Sequence, residues 1–552
     1  MANAAQTSHH LNRIRRLNAI GVALSAVDDH IELLEQILNG ARELTCADAG
    51  TLYWVNSNAE GKPQSLSFTL VQNDTLNIHL GGSGEPVGGT FSEIPLYLTN
   101  HEPNERMVAA YAVLHEKTVC IADAYEEQGF DFSGTRKFDA STGYRSQSML
   151  VVPLKNHEND VIAALQLLNK QDNAGNTVQF DQDDIEIACS LASQAAIALT
   201  NRKLIDDLHT LFESFTHVIA SAIDAKSPQT GAHCRRVPDA TLMLAKAASG
   251  SNYPGLEGFK MSKKDMYELK TAAWMHDCGK IVTPPHVVEK SKKLETIYDR
   301  IGTIEARLEV LARDAKIAEL EAELTALKNN TPSSRPAPSN APSQGFYQEA
   351  LEFLQRANTG GEFMADDDLE KVQSLAALNY TTLNGQTQPL LTPEECENLC
   401  IRKGTLTDAE RKIMEDHMVH TINMLEQLPF PKHLKRVPEY AGGHHERMDG
   451  KGYPRGLTRE QMSIPARIMG IADVFEALTA PERSYKKAMS LSQTLTIMGR
   501  MVENNHLDPD LFALFVDKKV YLTYANKHLK PEQIDNVDLS NLPGLSRNQH
   551  AE

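Results

Sequence analysis

No stretch of this 552-residue chain stays apolar for the roughly 20 residues that a helix needs to cross a bilayer, so no membrane span is expected. The opening MANAAQTSHHLNRIRRLNAIG carries basic residues but lacks the apolar centre of a secretory signal. Positive charge is also in short supply: 55 Lys and Arg stand against 73 Asp and Glu, a formal net charge of −18. That balance argues against broad binding to nucleic acid or to an anionic membrane, and any phosphate-bearing ligand must be met by a local site. Cysteine is sparse, seven scattered residues that suit a reducing cytoplasm better than a disulfide framework. Cys396 and Cys400 read as two thiols on successive turns of a helix rather than as a metal or redox pair. There is no internal repeat.

What is present is enough for a folded protein of three or four units, with 41% apolar residues over a length too great for one core. Residues 1–49 carry Leu11, Ile14 and Leu17, then Ile31, Leu34 and Ile37, at helical spacing. The texture then changes to short β-type runs, GTLYWVN (50–56), SLSFTLVQ (65–72), SMLVVPLKN (148–156) and VIAALQLLNK (161–170). Helices at both ends of antiparallel strands predict an α+β domain. From Asp183 to about Lys226 the chain reads as one long helix. Leu204, Leu208, Leu211, Phe215, Val218 and Ala222 alternate steps of four and three, the a/d stripe of a short parallel coiled coil, with packing on its own domain as the alternative.

Residues 228–289 and 405–520 read as mostly helical and rich in histidine. An amphipathic helix through Ile297, Ile301, Ile304, Leu308 and Leu311, a linker NNTPSSRPAPSNAPSQG (329–345) and two more helical pieces interrupt them. A hairpin-like insertion serving interaction or dimerisation is expected there.

The chemistry-bearing residues come in clusters: TGAHCRRV (230–237), AAWMHDCGK (272–280), IMEDHMVHT (413–421), GHHERMDGKGYPRGL (443–457) and ARIMGIADVFEAL (466–478). In a helix, Lys280 lies one turn from His276 and Asp277. Imidazole and carboxylate together suit borderline or hard transition metals, a carboxylate can bridge two of them, and an ammonium nearby can hold a phosphate oxygen. Asp473 interrupts an apolar helical stripe; drawn toward a core, it needs a partner or a cation, and the alternative is an exposed gap. Five histidines and two aspartates without converging thiolates fit a pair of ions better than a closed zinc site.

HDCGK (276–280), HHERMDGKGYP (444–454) and IADVFEALTAPERSYKKA (471–488), in that order, resemble the HD-GYP family of cyclic di-GMP phosphodiesterases, a branch of the HD metal-dependent phosphohydrolases. The resemblance implies a cytoplasmic enzyme that cuts a 3′–5′ phosphodiester of cyclic di-GMP to pGpG and possibly GMP. Alternatives are another cyclic dinucleotide such as 3′,3′-cGAMP, or a receptor without turnover. It implies that His233, His276, Asp277 and Asp473 hold one divalent ion, with Asp277 bridging to a second held by His417, His444 and His445. Iron or manganese is expected, with zinc, nickel or cobalt as alternatives. Lys280, Arg483 and Lys486 would contact ligand phosphates, and Gly452, Tyr453 and Pro454, fixed by Asp449, would form the signature loop. Tyr453 is the candidate for substrate contact, and the loop for contact with a signalling partner. His420 has no role beyond packing or surface. Some family members carry a Glu that contributes to a third ion where this chain has Gln229, so two ions are expected.

The amino-terminal part resembles a GAF domain, through SMLVVPL, VIAALQLLNK and the exit helix FDQDDIEIACSLASQAAIAL (180–199). A small ligand is implied, of unspecified chemistry. NKQDNAGNTVQFDQDD (169–184) resembles the signature of cyclic-nucleotide-binding members, with Ile185 in place of its final Glu; Lys170 and Asp184 read as a structural ion pair. The expected plan is a GAF-like domain with its helix over 1–200, a helical stalk over 201–227, an all-α HD-GYP domain over 228–520 interrupted at about 291–400, and a tail over 521–552. The chain would form a homodimer.

Overall fold

The computed structural model describes residues 2–27, 29–58, 60–88, 91–226, 233–328, 342–361, 363–480 and 488–545. The chain divides into two compact units, Met1–Leu211 and Phe212–Glu552.

The first unit is built on an antiparallel sheet. Its strands are β1 (Ala47–Ser57), β2 (Pro63–Asn73), β3 (Ile78–Leu80), β4 (Ile94–Pro95), β5 (Val119–Ile121), β6 (Met149–Lys155), β7 (Val161–Gln171) and β8 (Thr177–Val178). The order is β3-β2-β1-β7-β6-β5, with β4 on β2 and β8 on β7. The four longest strands are the runs read from the sequence; the two- and three-residue strands carry too little pattern to be found that way. Because side chains alternate across a strand, each strand feeds two layers. On one face Leu52 and Leu165, directly opposed across β1 and β7, meet Leu33, Ile37 and Leu38 of the His30–Thr45 helix and Leu191 and Ala195 of the Gln182–Lys226 helix. The other face carries Tyr53, Leu66 and Ala164 against Ala109 and Val113. A cavity of about 610 Å³ opens beside it, lined by Tyr53, Phe68, Phe91, Phe138, Tyr144 and Gln166 among others. Lys170 pairs with Asp181 at 2.7 Å and with the buried Asp184, which also takes Arg13 at 2.6 Å. The Lys170–Asp184 relation is an ion pair tying β7 to the start of the exit helix.

In the second unit the helices His233–Ala248, Lys263–Met275 and Ile464–Thr479 pack on one another around Leu244, Leu269, Ala272, Ile468, Ile471 and Phe475. The segment read as a tail belongs to this core. Val520, Tyr521, Tyr524 and Ala525 of the Val520–His528 helix are buried in it, and so is Leu542, because the apolar stripe of that helix continues past residue 520.

The insertion is more than a helical hairpin. Leu294, Ile304, Leu308, Phe353, Leu354, Val372 and Leu399 form a core of their own. Besides the helices Ile301–Lys328, Gln344–Asn358, Asp366–Ala376 and Pro393–Leu399 it holds an antiparallel pair, Asn379–Thr381 with Thr387–Pro389. Gln344 and Gly345, read as linker, begin a helix; 329–341 lie outside the described residues. Cys396 and Cys400 sit half-buried against this core with free thiols.

The long helix Gln182–Lys226 presents two different faces along its second half. Phe212, Ile219, Ala220 and Ile223 pack on the core of the second unit. Leu204, Leu208, Leu211, Phe215 and Val218 are each more than half exposed, and Ala222 is exposed as well.

Candidate metal centre

Every candidate ligand stands at a helix end or at a break in a helix, except Asp473. The Lys263–Met275 helix starts at a Ser262/Asp265 capping box and stops at His276; Asp277 leaves helical geometry (φ −107°, ψ 14°), and Cys278–Ile281 tightens into a 3-10 turn. The sequence reading kept this run in one helix. The break turns the Asp277 carboxylate inward, and Lys280 reaches it from one tight turn away, its ammonium bonded to Asp277 Oδ2. Two further contacts fix the turn. Gly279 donates its N–H to Thr421 Oγ1 at 2.9 Å, and a Cβ on Gly279 would fall 2.0 Å from the His417 carbonyl, so only glycine allows this approach. Lys226 donates to the carbonyls of Lys280 at 3.2 Å and Thr283 at 2.7 Å.

His417 is the first residue of the His417–Glu426 helix, and His444 and His445 follow the short Val437–Gly442 helix. Asp473 lies inside Ile464–Thr479 and is buried, not an exposed gap. Two groups result: Asp277, His417, His444 and His445; and His233, His276 and Asp473, the ligand atoms within each group all lying within 4.8 Å of one another.

Asp277 faces both. Its Oδ2 is 3.6 Å from His233 Nε2 and 3.3 Å from His276 Nε2, while its Oδ1 is 3.3 Å from His417 Nε2 and 4.0 Å from His444 Nε2. Asp473 Oδ1 stands 3.2 Å from His233 Nε2 and 3.7 Å from His276 Nε2. The Nε2 atoms of His276, His417 and His444 and Asp277 Oδ1 are buried without a hydrogen-bond partner. Orphaned buried polar atoms are costly, and a cation among them removes the cost. The donor set, nitrogen and carboxylate oxygen without thiolate, therefore fits divalent ions.

The electrostatics of the two groups differ. Burial opposes a charged imidazole at His233, yet Glu476 and Asp473 lift its pKa to about 10; His276 rises to about 9 against burial through Asp277 and Asp473. Burial pushes His444 down to about 4, helped by His276, and holds His445 well below the usual range, helped by His444. Burial works against ionising Asp277 and Asp473, but Lys280 and His276 for the first and His233 and His276 for the second keep both carboxylates far below theirs.

The loop 449–454 closes one side. Tyr453 stacks on His445, ring centroids 4.9 Å apart at 24°, and donates its N–H to the His445 carbonyl at 3.3 Å; its peptide to Pro454 is cis. Asp449 accepts from Arg447 Nε at 3.1 Å and Lys451 N–H at 3.1 Å. Arg483, Lys486 and Gln229 lie outside the described residues, and His420 is exposed.

Four residues of this neighbourhood carry no role in the sequence reading. Glu476 and Arg236 hold His233, Thr421 holds the Gly279 turn, and buried Glu446 accepts from the N–H groups of Arg455 at 2.7 Å and Leu457 at 2.9 Å to shape the loop. The only advance signals were an acid three residues beyond Asp473 and another directly after the His444–His445 pair.

Comparison with known proteins places a GAF domain at residues 29–199 and an HD domain at 364–511. The chain thus carries, in this order, a region similar to GAF domains and a region similar to HD domains. The HD match contains His417, His444, His445 and Asp473, whereas His233, His276 and Asp277 precede it. The chain is 39% identical over 145 residues to the 3′3′-cGAMP-specific phosphodiesterase 1 of Vibrio cholerae, covering 26% of this chain and 32% of that protein. It is 41% identical over 114 residues to the 3′3′-cGAMP-specific phosphodiesterase 3 of the same organism, covering 20% and 23%. It is 38% identical over 116 residues to a cyclic di-GMP phosphodiesterase of Pseudomonas aeruginosa, covering 21% and 27%. The matched regions span a third or less of these relatives.

Proposed function

We propose that this chain is an HD-GYP-type phosphodiesterase that hydrolyses cyclic di-GMP to pGpG, and onward to GMP in part, under the control of its GAF domain. The observation that carries this reading is Asp277, whose Oδ2 faces His276 Nε2 and whose Oδ1 faces His417 and His444 Nε2, all three nitrogens buried without a hydrogen-bond partner. His233, His276 and Asp473 would hold one divalent ion, His417, His444 and His445 the other, and Asp277 both. A bound pair of such ions supplies Lewis acidity and an activated water for in-line attack on phosphorus. The mixed imidazole and carboxylate donors favour iron or manganese, with zinc, nickel or cobalt also compatible.

The chain's own residues do the rest. Lys280, which burial would discharge, is kept protonated by Asp277 and stands ready to meet a phosphate oxygen beside it. Tyr453, fixed flat on His445, offers a face and a hydroxyl to a guanine or ribose at the rim. Arg483 and Lys486 are assigned to the outer phosphates, and the loop to contact with a signalling partner. This local set of cations answers the overall charge of −18. Two relatives named for 3′3′-cGAMP favour that dinucleotide as the second reading. Metal-loaded full-length protein, given a panel of cyclic dinucleotides, is expected to cleave cyclic di-GMP fastest; faster cleavage of 3′,3′-cGAMP selects the second reading, and no cleavage of either overturns both.

A small ligand in the aromatic-lined cavity of the first unit would set the activity. The exposed stripe Leu204–Leu208–Leu211–Phe215–Val218 would pair with a second copy in parallel, since an a/d stripe left in water is unfavourable. Intact protein is expected to have the mass of a dimer in solution, and Leu211→Asp with Phe215→Asp that of a monomer; an unchanged mass refutes the pairing. No helix among the described residues is long and apolar enough to cross a membrane. Seven free thiols fit work in the cytoplasm.

A further inference from the structure

His233 is held differently from the other inward-facing histidines. His276, His417 and His444 each turn Nδ1 to the carbonyl three residues back, Ala273 at 2.8 Å, Met414, and Ala441 at 2.7 Å. Those contacts come from local backbone geometry and survive most side-chain changes. His233 lies in the helix His233–Ala248, and its Nδ1 is bonded instead to Oε2 of Glu476, 243 residues further along the chain. Arg236, one turn beyond His233, donates Nε to the other oxygen of the same carboxylate at 2.6 Å.

Glu476 is fully buried and sits three residues after Asp473, so one helix supplies both a ligand oxygen on the Nε2 side of His233 and an acceptor on its Nδ1 side. Arg236 takes up one oxygen of this buried carboxylate and fixes its orientation, leaving the other for Nδ1 of His233. With an ion bound, the imidazole would be restricted to the tautomer that keeps its proton on Nδ1 and presents the Nε2 lone pair to the ion. A carboxylate on the N–H also makes the ring a stronger donor than a neutral carbonyl does.

We infer that Glu476, locked by Arg236, is a positioning residue for His233, and that it makes the His233–His276–Asp473 group the tighter of the two metal positions. The inference rests on the two-metal reading. The His417–His444–His445 group has only carbonyl anchors on His417 and His444, and shares its one carboxylate, Asp277. The two positions therefore fill in sequence, the Glu476 side first.

The test is calorimetric titration of the chelator-stripped full-length chain with Mn²⁺, with Co²⁺ absorption as a second readout. Wild type is expected to show two binding events. Glu476→Gln should weaken the tighter one about 10- to 100-fold and leave the weaker in place, the usual effect of removing a ligand's hydrogen-bond partner. Glu476→Asp, which keeps the charge, should lose less, and His417→Asn should weaken the other event. Circular dichroism checks that each variant is folded, and if Glu476→Gln is not, Glu476→Asp decides by the same criterion of one event weakened. Equal binding by variant and wild type, or weakening of the His417-dependent event instead, overturns the inference. A wild type that takes up fewer than two ions overturns the two-metal reading beneath it.

Discussion

Asp277→Asn is expected to strip both ligand groups at once and to lower cyclic dinucleotide turnover at least about a thousandfold, some 4 kcal/mol of transition-state stabilisation. Among the described residues of the two groups, the Asp277 carboxylate alone has one oxygen facing each set of imidazoles. The amide keeps the shape but loses the charge, and it offers one oxygen where two are used. It also leaves the half-buried Lys280 ammonium facing an NH₂ or a neutral oxygen, which works against a second cation entering nearby. Elemental analysis of the purified variant and an assay with added Mn²⁺ check this together. Retention of two ions with turnover within tenfold of wild type would refute the bridging role.

The second expected result concerns the loop. Gly452→Ala should lower turnover about a hundredfold while metal content stays at the wild-type level. A Cβ at residue 452 would stand 2.4 Å from the Arg447 nitrogen and 2.5 Å from Glu446 Cα, both backbone atoms that cannot rotate away. The loop must then lift, taking Tyr453 off His445 and loosening the two N–H contacts to Glu446. Misplacement of a substrate-contacting group by about 1 Å is worth a loss of that order. Because the ligand side chains stand within helices or at helix ends, breaks and turns outside residues 449–454, the ions should remain. An alanine variant with normal turnover would mean that the loop does not place substrate.

Asp473 and Glu476 show where reading the sequence stops. An acid within the stripe Ile468–Ile471–Phe475 was legible as a residue needing a partner, yet nothing nearby in the chain named His233. Glu476, at the same helical turn, looked like any solvated acid, and its burial follows only from the packing of His233–Ala248 against Ile464–Thr479. The HDCGK run misled in a smaller way. Its composition allows a helix, and only the approach of Gly279 to the His417 carbonyl explains why the helix ends at Met275. The tail was misjudged because Tyr521 and Tyr524 lack a long apolar run, although a few aromatics on one helical face suffice to enter a core already formed.

By itself the sequence determined the kinds of side chain available, their order, the α+β and mainly helical character of the two halves, and the four long strands, because these follow from local periodicity and residue chemistry. The family resemblance of its motifs implied the two ligand sets; tertiary structure decided which oxygen of Asp277 faces which histidines and which carboxylate stands behind His233. Those depend on helices more than 200 residues apart meeting within a few ångströms, and contacts at that separation leave no periodic trace in a single chain.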